Sequence, residues 1–131
     1  MHVERWWPQQ DVFAQAALVI SHGGFGTTQA ALTSGVPQVV IPLFSFDQLA
    51  NAERVEAVGA GVALIDAGAA KRRAGDVVPR GPQAVERLAE AVTGTLANEI
   101  VRAGAQRLAA EIRILPSATE CLAALNGMLS A

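Results

Sequence analysis

A short apolar run, Ala17-Leu18-Val19-Ile20, leads directly into Ser21-His22-Gly23-Gly24-Phe25-Gly26-Thr27-Thr28. A small-residue stretch follows, Gln29-Ala30-Ala31-Leu32-Thr33-Ser34, and stops at Gly35. Few local patterns restrict a chain more: strand, glycine-rich turn, helix start. The unpaired N–H groups of a first helical turn and the positive end of the helix dipole both point into such a turn, which makes it an anion site. Glycines let a phosphate approach the backbone, and the hydroxyls of Thr27 and Thr28 can donate to its oxygens. His22 stands at the mouth, where an imidazole can donate to a diphosphate. The plainer reading is a tight turn with a capping threonine, and His22 as an ordinary turn residue.

The flanking pattern predicts the fold class. Residues 18–21, 38–41 and 62–65 are short apolar runs, and helical patterns separate them: 25–34, ended by Gly35, and 48–58, with Leu49, Ala52, Val55 and Val58 at helical spacing. Continuous apolar runs fit a parallel sheet covered on both faces, so the expectation is α/β with a Rossmann-like parallel sheet. Asp11 is placed as the cap of a short helix over 12–16, and Asp47 as the cap of the helix over 48–58. Three helices close the chain. Pro82 opens the first, with the stripe Val85, Leu88, Ala89, Val92 and Leu96. Asn98 caps the second, with Val101, Ala105, Leu108, Ile112 and Leu115. Ser117 and Glu120 form a capping box for the third, with Leu122, Leu125 and Leu129 on one face. Residues 67–81, with Lys71-Arg72-Arg73, read as a surface loop with a solvated basic tip.

Bulk properties exclude several function classes. At 131 residues the chain suits one small domain, and 51% hydrophobic residues suffice for a core, although many of them are alanine. A net charge of −2 offers no attraction to nucleic acid or an anionic membrane. The single cysteine, Cys121, excludes an internal disulfide, reads as a half-buried thiol and points to a reducing, cytoplasmic setting. No apolar run reaches membrane-spanning length, and no transmembrane segment is expected.

Further motifs stand around the glycine turn: Trp6-Trp7-Pro8-Gln9 before it, then Gly35-Val36-Pro37, Pro42-Leu43-Phe44, Asp47-Gln48 and Asn51. In this order the set closely resembles the donor-binding half of family 1 glycosyltransferases of the GT-B fold. His22-Gly23-Gly24-Phe25-Gly26-Thr27-Thr28 is similar to the form in the bacterial branch, which glycosylates macrolides and other aglycones. The resemblance is dense over residues 6–66 and looser through the C-terminal helices over 82–130. It implies a nucleotide sugar, UDP- or dTDP-linked, as ligand, with no further cofactor and no metal. It implies that Trp6 stacks on the base and Gln9 bonds the base edge or ribose, with Trp7 as a core anchor. His22, Gly24, Gly26, Thr27 and Thr28 would hold the diphosphate. Phe25, Asp47 and Gln48 would hold the donor sugar. Concentrating donors on a leaving diphosphate stabilises developing charge.

Three departures qualify the resemblance. Ala30 stands where the family usually has a ribose-binding glutamate, which leaves UDP and dTDP both open. The adjacent Gln29 points about 100° away on the helix and is a poor substitute. Asp47 lies one residue further from Pro42 than the family pattern, so the loop over residues 43–46 must bulge. The chain also begins at what resembles the third strand of the donor domain, so residues 1–131 correspond to part of that domain. The acceptor domain and its general base have no counterpart here, and no catalytic residue is assigned. The leading expectation is the donor-binding part of an inverting glycosyltransferase. A non-catalytic module that needs a partner chain is the second, and a UDP-sugar epimerase, against which the His22 run and the Asp47-Gln48 pair stand, is the third. In the family order, absent strands would lie between 2–6 and 18–21. Either 2–6 therefore pairs directly with 18–21, or that edge seeks a partner or a second copy. His22, Thr27, Asp47 and Gln48 are expected in one cleft at the C-terminal strand ends, with Trp6 reaching it.

Overall fold

The computed structural model describes residues 2–65 and 82–129. The expected loop over 67–81, with its basic triplet, lies outside the described residues. Within them the chain forms α1 (Gln9–Phe13), β1 (Val19–Ser21), α2 (Phe25–Ser34), β2 (Gln38–Val40), α3 (Phe46–Ala57), β3 (Gly61–Ala63), α4 (Pro82–Ala97), α5 (Glu99–Arg113) and α6 (Ala118–Leu129). The sheet has three strands in the order β1-β2-β3. Both pairings are parallel, with Ile20 opposite Val39 and Val39 opposite Val62. The α/β expectation therefore holds, with each strand a residue or so shorter than its apolar run.

Burial explains the order. All three residues of β2 are buried, as a central strand requires, whereas β1 and β3 are buried only in part. Val40, Ala52, Val55, Ala60 and Ala105 form the main cluster, flanked by Leu32, Val58, Ala63, Ile65 and Leu108. Val19, Ala31 and Val36 form a second, with Phe13 and Ala16 from the α1 region packed on it. These small side chains bring backbones close together. A Cβ on Gly104 of α5 would collide with the carbonyl of Gly59, so the helix rests directly on the turn that follows α3. Arg107 adds a guanidinium donor to the Val58 carbonyl at 3.2 Å, serving a group that the end of α3 leaves without a helical partner.

Local chemistry sets several boundaries as anticipated. Gly35 ends α2 with φ 70° and its N–H on the last carbonyls. Asn98 accepts from the N–H groups of Ile100 and Val101 at the start of α5. At α6 the Ser117 N–H and hydroxyl both donate to Glu120 Oε2 at 2.7 Å, and the Glu120 N–H donates back to Ser117 Oγ at 3.2 Å. The hydroxyl first, and the backbone N–H second, hold the Glu120 carboxyl below its ordinary range.

Other expectations are corrected. α1 starts at Gln9, three residues before the expected helix over 12–16, because Pro8, extended at φ −72° and ψ 107°, lets its carbonyl accept from Asp11 and Val12. Asp11 is thus a first-turn residue and no cap. Ser45, extended at φ −136°, is the N-cap of α3, and Asp47 also falls inside the first turn. α4 is rotated from its expected stripe: Thr95 is buried, while Val85 is exposed. α6 buries no residue, and Leu122, Leu125 and Leu129 are exposed. Cys121 is exposed rather than half-buried. Trp7 is exposed as well, so it anchors no core. Residues 2–6 form no strand and do not pair with β1, which remains the edge of the sheet.

Candidate functional site

β1 delivers Ser21 and His22 to its C-terminal end, beside the end of β2. Ile20, Ser21, His22, Ile41 and Leu43 line an open hollow of about 330 Å³ there. The chain then reverses at Gly23, whose φ of 83° lies in the region that favours glycine. The Gly23 N–H donates to Ser21 Oγ at 3.1 Å. Gly23 also sits tightly: a Cβ there would stand 2.7 Å from Val40 Cγ1 and 2.9 Å from the Gln48 carbonyl oxygen. The close approach draws the first turns of α3 against the glycine turn.

Gly24 is the N-cap of α2 and supplies no side-chain cap, and the first turn of α2 holds no acidic residue. The opening N–H groups of this helix are therefore left to solvent or a ligand. His22 Nε2 lies where a Gly24 side chain would begin, 2.6 Å from that Cβ position. The His22 ring stacks on Phe44, with centroids 6.4 Å apart and planes inclined by 14°. At Gly26 a Cβ would meet nothing within 4 Å, so no packing among the described residues explains that glycine.

Gln9 Nε2 donates to Thr27 Oγ1 at 3.2 Å, which ties α1 to the start of α2 across 18 positions. Gln48 is buried, and its Oε1 accepts from Leu43 N–H at 3.0 Å and Phe44 N–H at 3.3 Å. Those two bonds gather the loop that carries the extra residue before α3. They also commit the Gln48 oxygen and leave the amide nitrogen as its donor. Asp47 is exposed in the same helical turn.

Of the expected site residues only His22 lines the hollow; Gly24, Thr27, Gln9 and Gln48 adjoin the glycine turn through the contacts just described, and Asp47 lies in the first turn of α3. Trp6 is not brought to the same hollow. It is 80% exposed, and its own surface depression is lined by residues Glu4 to Gln9. Phe25 is exposed and, with the buried Thr28, lines a different groove between α2 and α3. Thr28 Oγ1 has no hydrogen-bond partner among the described residues. Nor do the described residues include a His, Cys, Asp and Glu cluster fit for a metal. No described helix is long and apolar enough to cross a membrane.

Sequence reasoning assigned no part to Asn51, yet its Nδ2 donates to the Gly23 carbonyl at 2.8 Å. Its place three residues after Gln48, on the same helical face, is the signal that could have drawn attention to it. Gln38, fully buried in β2, donates from Nε2 to the Thr28 carbonyl at 3.4 Å, and nothing in its apolar run marked it.

Residues 2–128 match the family model described as "Erythromycin biosynthesis protein CIII-like, C-terminal domain". The chain belongs to this family. L-demethylnoviosyl transferase of Streptomyces niveus is 47% identical over 57 residues, which are 44% of this chain and 15% of that protein. UDP-glucuronosyltransferase 3A1 of Xenopus laevis is 32% identical over 108 residues, 81% of this chain and 18% of that one. A glycosyltransferase of Streptomyces sp. SF2575, solved complexed with thymidine diphosphate, superposes with a TM-score of 0.71 at 26% identity, covering 92% of this chain and 28% of that one. The spinosyn rhamnosyltransferase SpnG gives 0.70 at 30% identity over 88% of this chain and 27% of its own. The fold is that of the C-terminal GT-B glycosyltransferase domain. This EryCIII-like domain spans less than a fifth of those two curated relatives and under a third of those two solved chains.

Proposed function

We propose that residues 1–131 are part of a donor-binding domain that holds a UDP- or dTDP-sugar for inverting transfer to a small hydroxylated acceptor. One observation carries this reading: α2 begins with no side-chain cap and no acid, and His22 lies against that opening. A diphosphate satisfies such a turn better than any group the chain itself supplies. In this reading His22, Gly24, Gly26 and Thr27 hold the diphosphate, and the empty space over Gly26 is where it approaches the backbone; Thr28, whose hydroxyl is enclosed and whose N–H donates to the Gly24 carbonyl, lies beneath that site as part of the helix. Trp6, with its indole open to solvent, and Gln9 hold the base and ribose. Asp47 and the free amide of Gln48 hold the sugar, without Phe25, which lines the groove between α2 and α3 instead. The thymidine diphosphate complex of the Streptomyces sp. SF2575 relative supports a nucleotide of this class. The acceptor oxygen bonds to the anomeric carbon as the bond to the diphosphate breaks. Its proton passes to a base outside residues 1–131, and the α2 donors stabilise the departing charge. The exposed, unpaired Cys121 is compatible with a reducing cytoplasm.

The test is calorimetric. His22→Ala is expected to weaken UDP and dTDP binding by roughly 5- to 150-fold, the equivalent of about 1–3 kcal/mol for a phosphate hydrogen bond. Uridine and thymidine binding should be unchanged. Equal weakening of nucleoside and nucleotide removes His22 from the diphosphate.

A specific observation favours the second reading, a module that works with a partner. Val19 N–H donates to the Pro37 carbonyl and Ile41 N–H to the Ser21 carbonyl, so those residues face β2. Alternate residues of a parallel strand turn their backbone groups to opposite sides, and Ile20 therefore turns its N–H and carbonyl away from the sheet. Its side chain is 51% exposed. An acceptor-domain chain, or a second copy, that adds a strand here would cover an edge prone to association. Light scattering on the eluted chain is expected to show a species heavier than the 13.6 kDa monomer. A lone monomer at high concentration counts against self-association.

A further inference from the structure

We propose that Asn51 is a positioning residue that fixes the orientation of the Gly23–Gly24 peptide and so keeps the Gly24 N–H available as an anion donor. The inference rests on the diphosphate reading above. A peptide unit is planar and trans, so its C=O and N–H point in opposite directions. Asn51 Nδ2 takes the Gly23 carbonyl at 2.8 Å from the side of α3. The N–H of the same peptide, on Gly24, is thereby turned away from α3.

That choice is not made by the backbone itself. Flipping this peptide changes only ψ of Gly23 and φ of Gly24, and glycine on both sides makes either orientation sterically open. In the flipped form a carbonyl oxygen would replace an N–H at the uncapped start of α2, and it would repel phosphate. Steric packing fixes where Gly23 sits, against Val40 and the Gln48 carbonyl, but not which way its own carbonyl faces. Among the described residues, the hydrogen bond recorded for that carbonyl is the one from Asn51. Asn51 thus links α3, which carries Asp47 and Gln48, to the turn that carries His22.

The test uses the chain labelled with ¹⁵N and titrated with inorganic pyrophosphate, a probe without base or sugar. Two variants are compared: Asn51→Ala, which removes the donor, and Asn51→Asp, which keeps the shape and presents an acceptor to the carbonyl. Both should move or split the Gly24 amide resonance. Both should weaken pyrophosphate binding by about tenfold or more, the effect of one lost hydrogen bond, while uridine and thymidine binding stays as in the wild type. A merely structural role would lower thermal stability and leave the split between pyrophosphate and nucleoside unchanged. If the Gly24 resonance and pyrophosphate affinity are unaltered in both variants, the inference is overturned. If the wild-type chain does not bind pyrophosphate, the diphosphate reading fails, and the Gly24 resonance alone then decides whether Asn51 orients the peptide. Should the alanine variant not fold, the near-isosteric aspartate variant gives the answer.

Discussion

Gly23→Ala is expected to destabilise the chain by about 2–5 kcal/mol, enough to unfold much of a marginal domain. Two costs add. The backbone at Gly23 is left-handed, φ 83°, which costs an L-residue about 1–2 kcal/mol. The new methyl would also stand 2.7 Å from Val40 Cγ1 and 2.9 Å from the Gln48 carbonyl oxygen. A valine methyl can yield a little. A helix carbonyl beside it cannot, so α3 must shift, and overpacking of this kind costs about 1–3 kcal/mol. The turn itself would loosen, since the Ser21 and Asn51 hydrogen bonds both end on Gly23. Urea denaturation followed by circular dichroism measures the loss. A midpoint equal to the wild type would show that the turn has room the structure denies.

The neighbouring substitution separates stability from binding. Gly24 is extended, φ −62° and ψ 140°, a conformation any residue adopts. Gly24→Ala is therefore expected to leave stability within about 0.5 kcal/mol of the wild type. Its methyl, however, would lie 2.6 Å from His22 Nε2, and the imidazole must swing aside. Diphosphate probes such as UDP and pyrophosphate should then bind as weakly as they do to His22→Ala. Combining the two substitutions should cost little more than either alone, because both remove the same imidazole from the same place. Calorimetry on the four members of this cycle decides the matter. Additive losses would mean that the methyl blocks the ligand directly and that His22 is independent of it.

Chemistry confined to a few neighbouring residues was legible from the chain. The bounds of α2, the Asn98 cap, the Ser117–Glu120 box and the parallel order of three apolar runs all rest on contacts within a turn or on simple periodicity. At α3 the cap position moved from the expected Asp47 to Ser45, two residues earlier, because the loop before α3 is fastened to Gln48 and sets where helical geometry can begin. The face of α4 was misread because an apolar stripe predicts burial only when another element covers it, and Thr95 is the residue covered. The same reason exposes the leucines of α6. Within the site, the His22 turn could be seen as a unit, but the Asn51 bond joins positions 28 apart and only the fold brings them together.

Among the described residues the five bulkiest wholly enclosed side chains are Gln38, Val39, Val40, Val55 and Pro42; no leucine, isoleucine or aromatic ring is among them. Mutational fragility here should consequently be lopsided. Trimming an interior valine removes only two methyl groups, so deletion of volume has little to take. Addition has nowhere to go, because carbonyls and Cα atoms occupy the space that side chains fill in other proteins, as at Gly104 against Gly59 and Gly61 against Gln38. This molecule is more readily broken by gaining one carbon than by losing two.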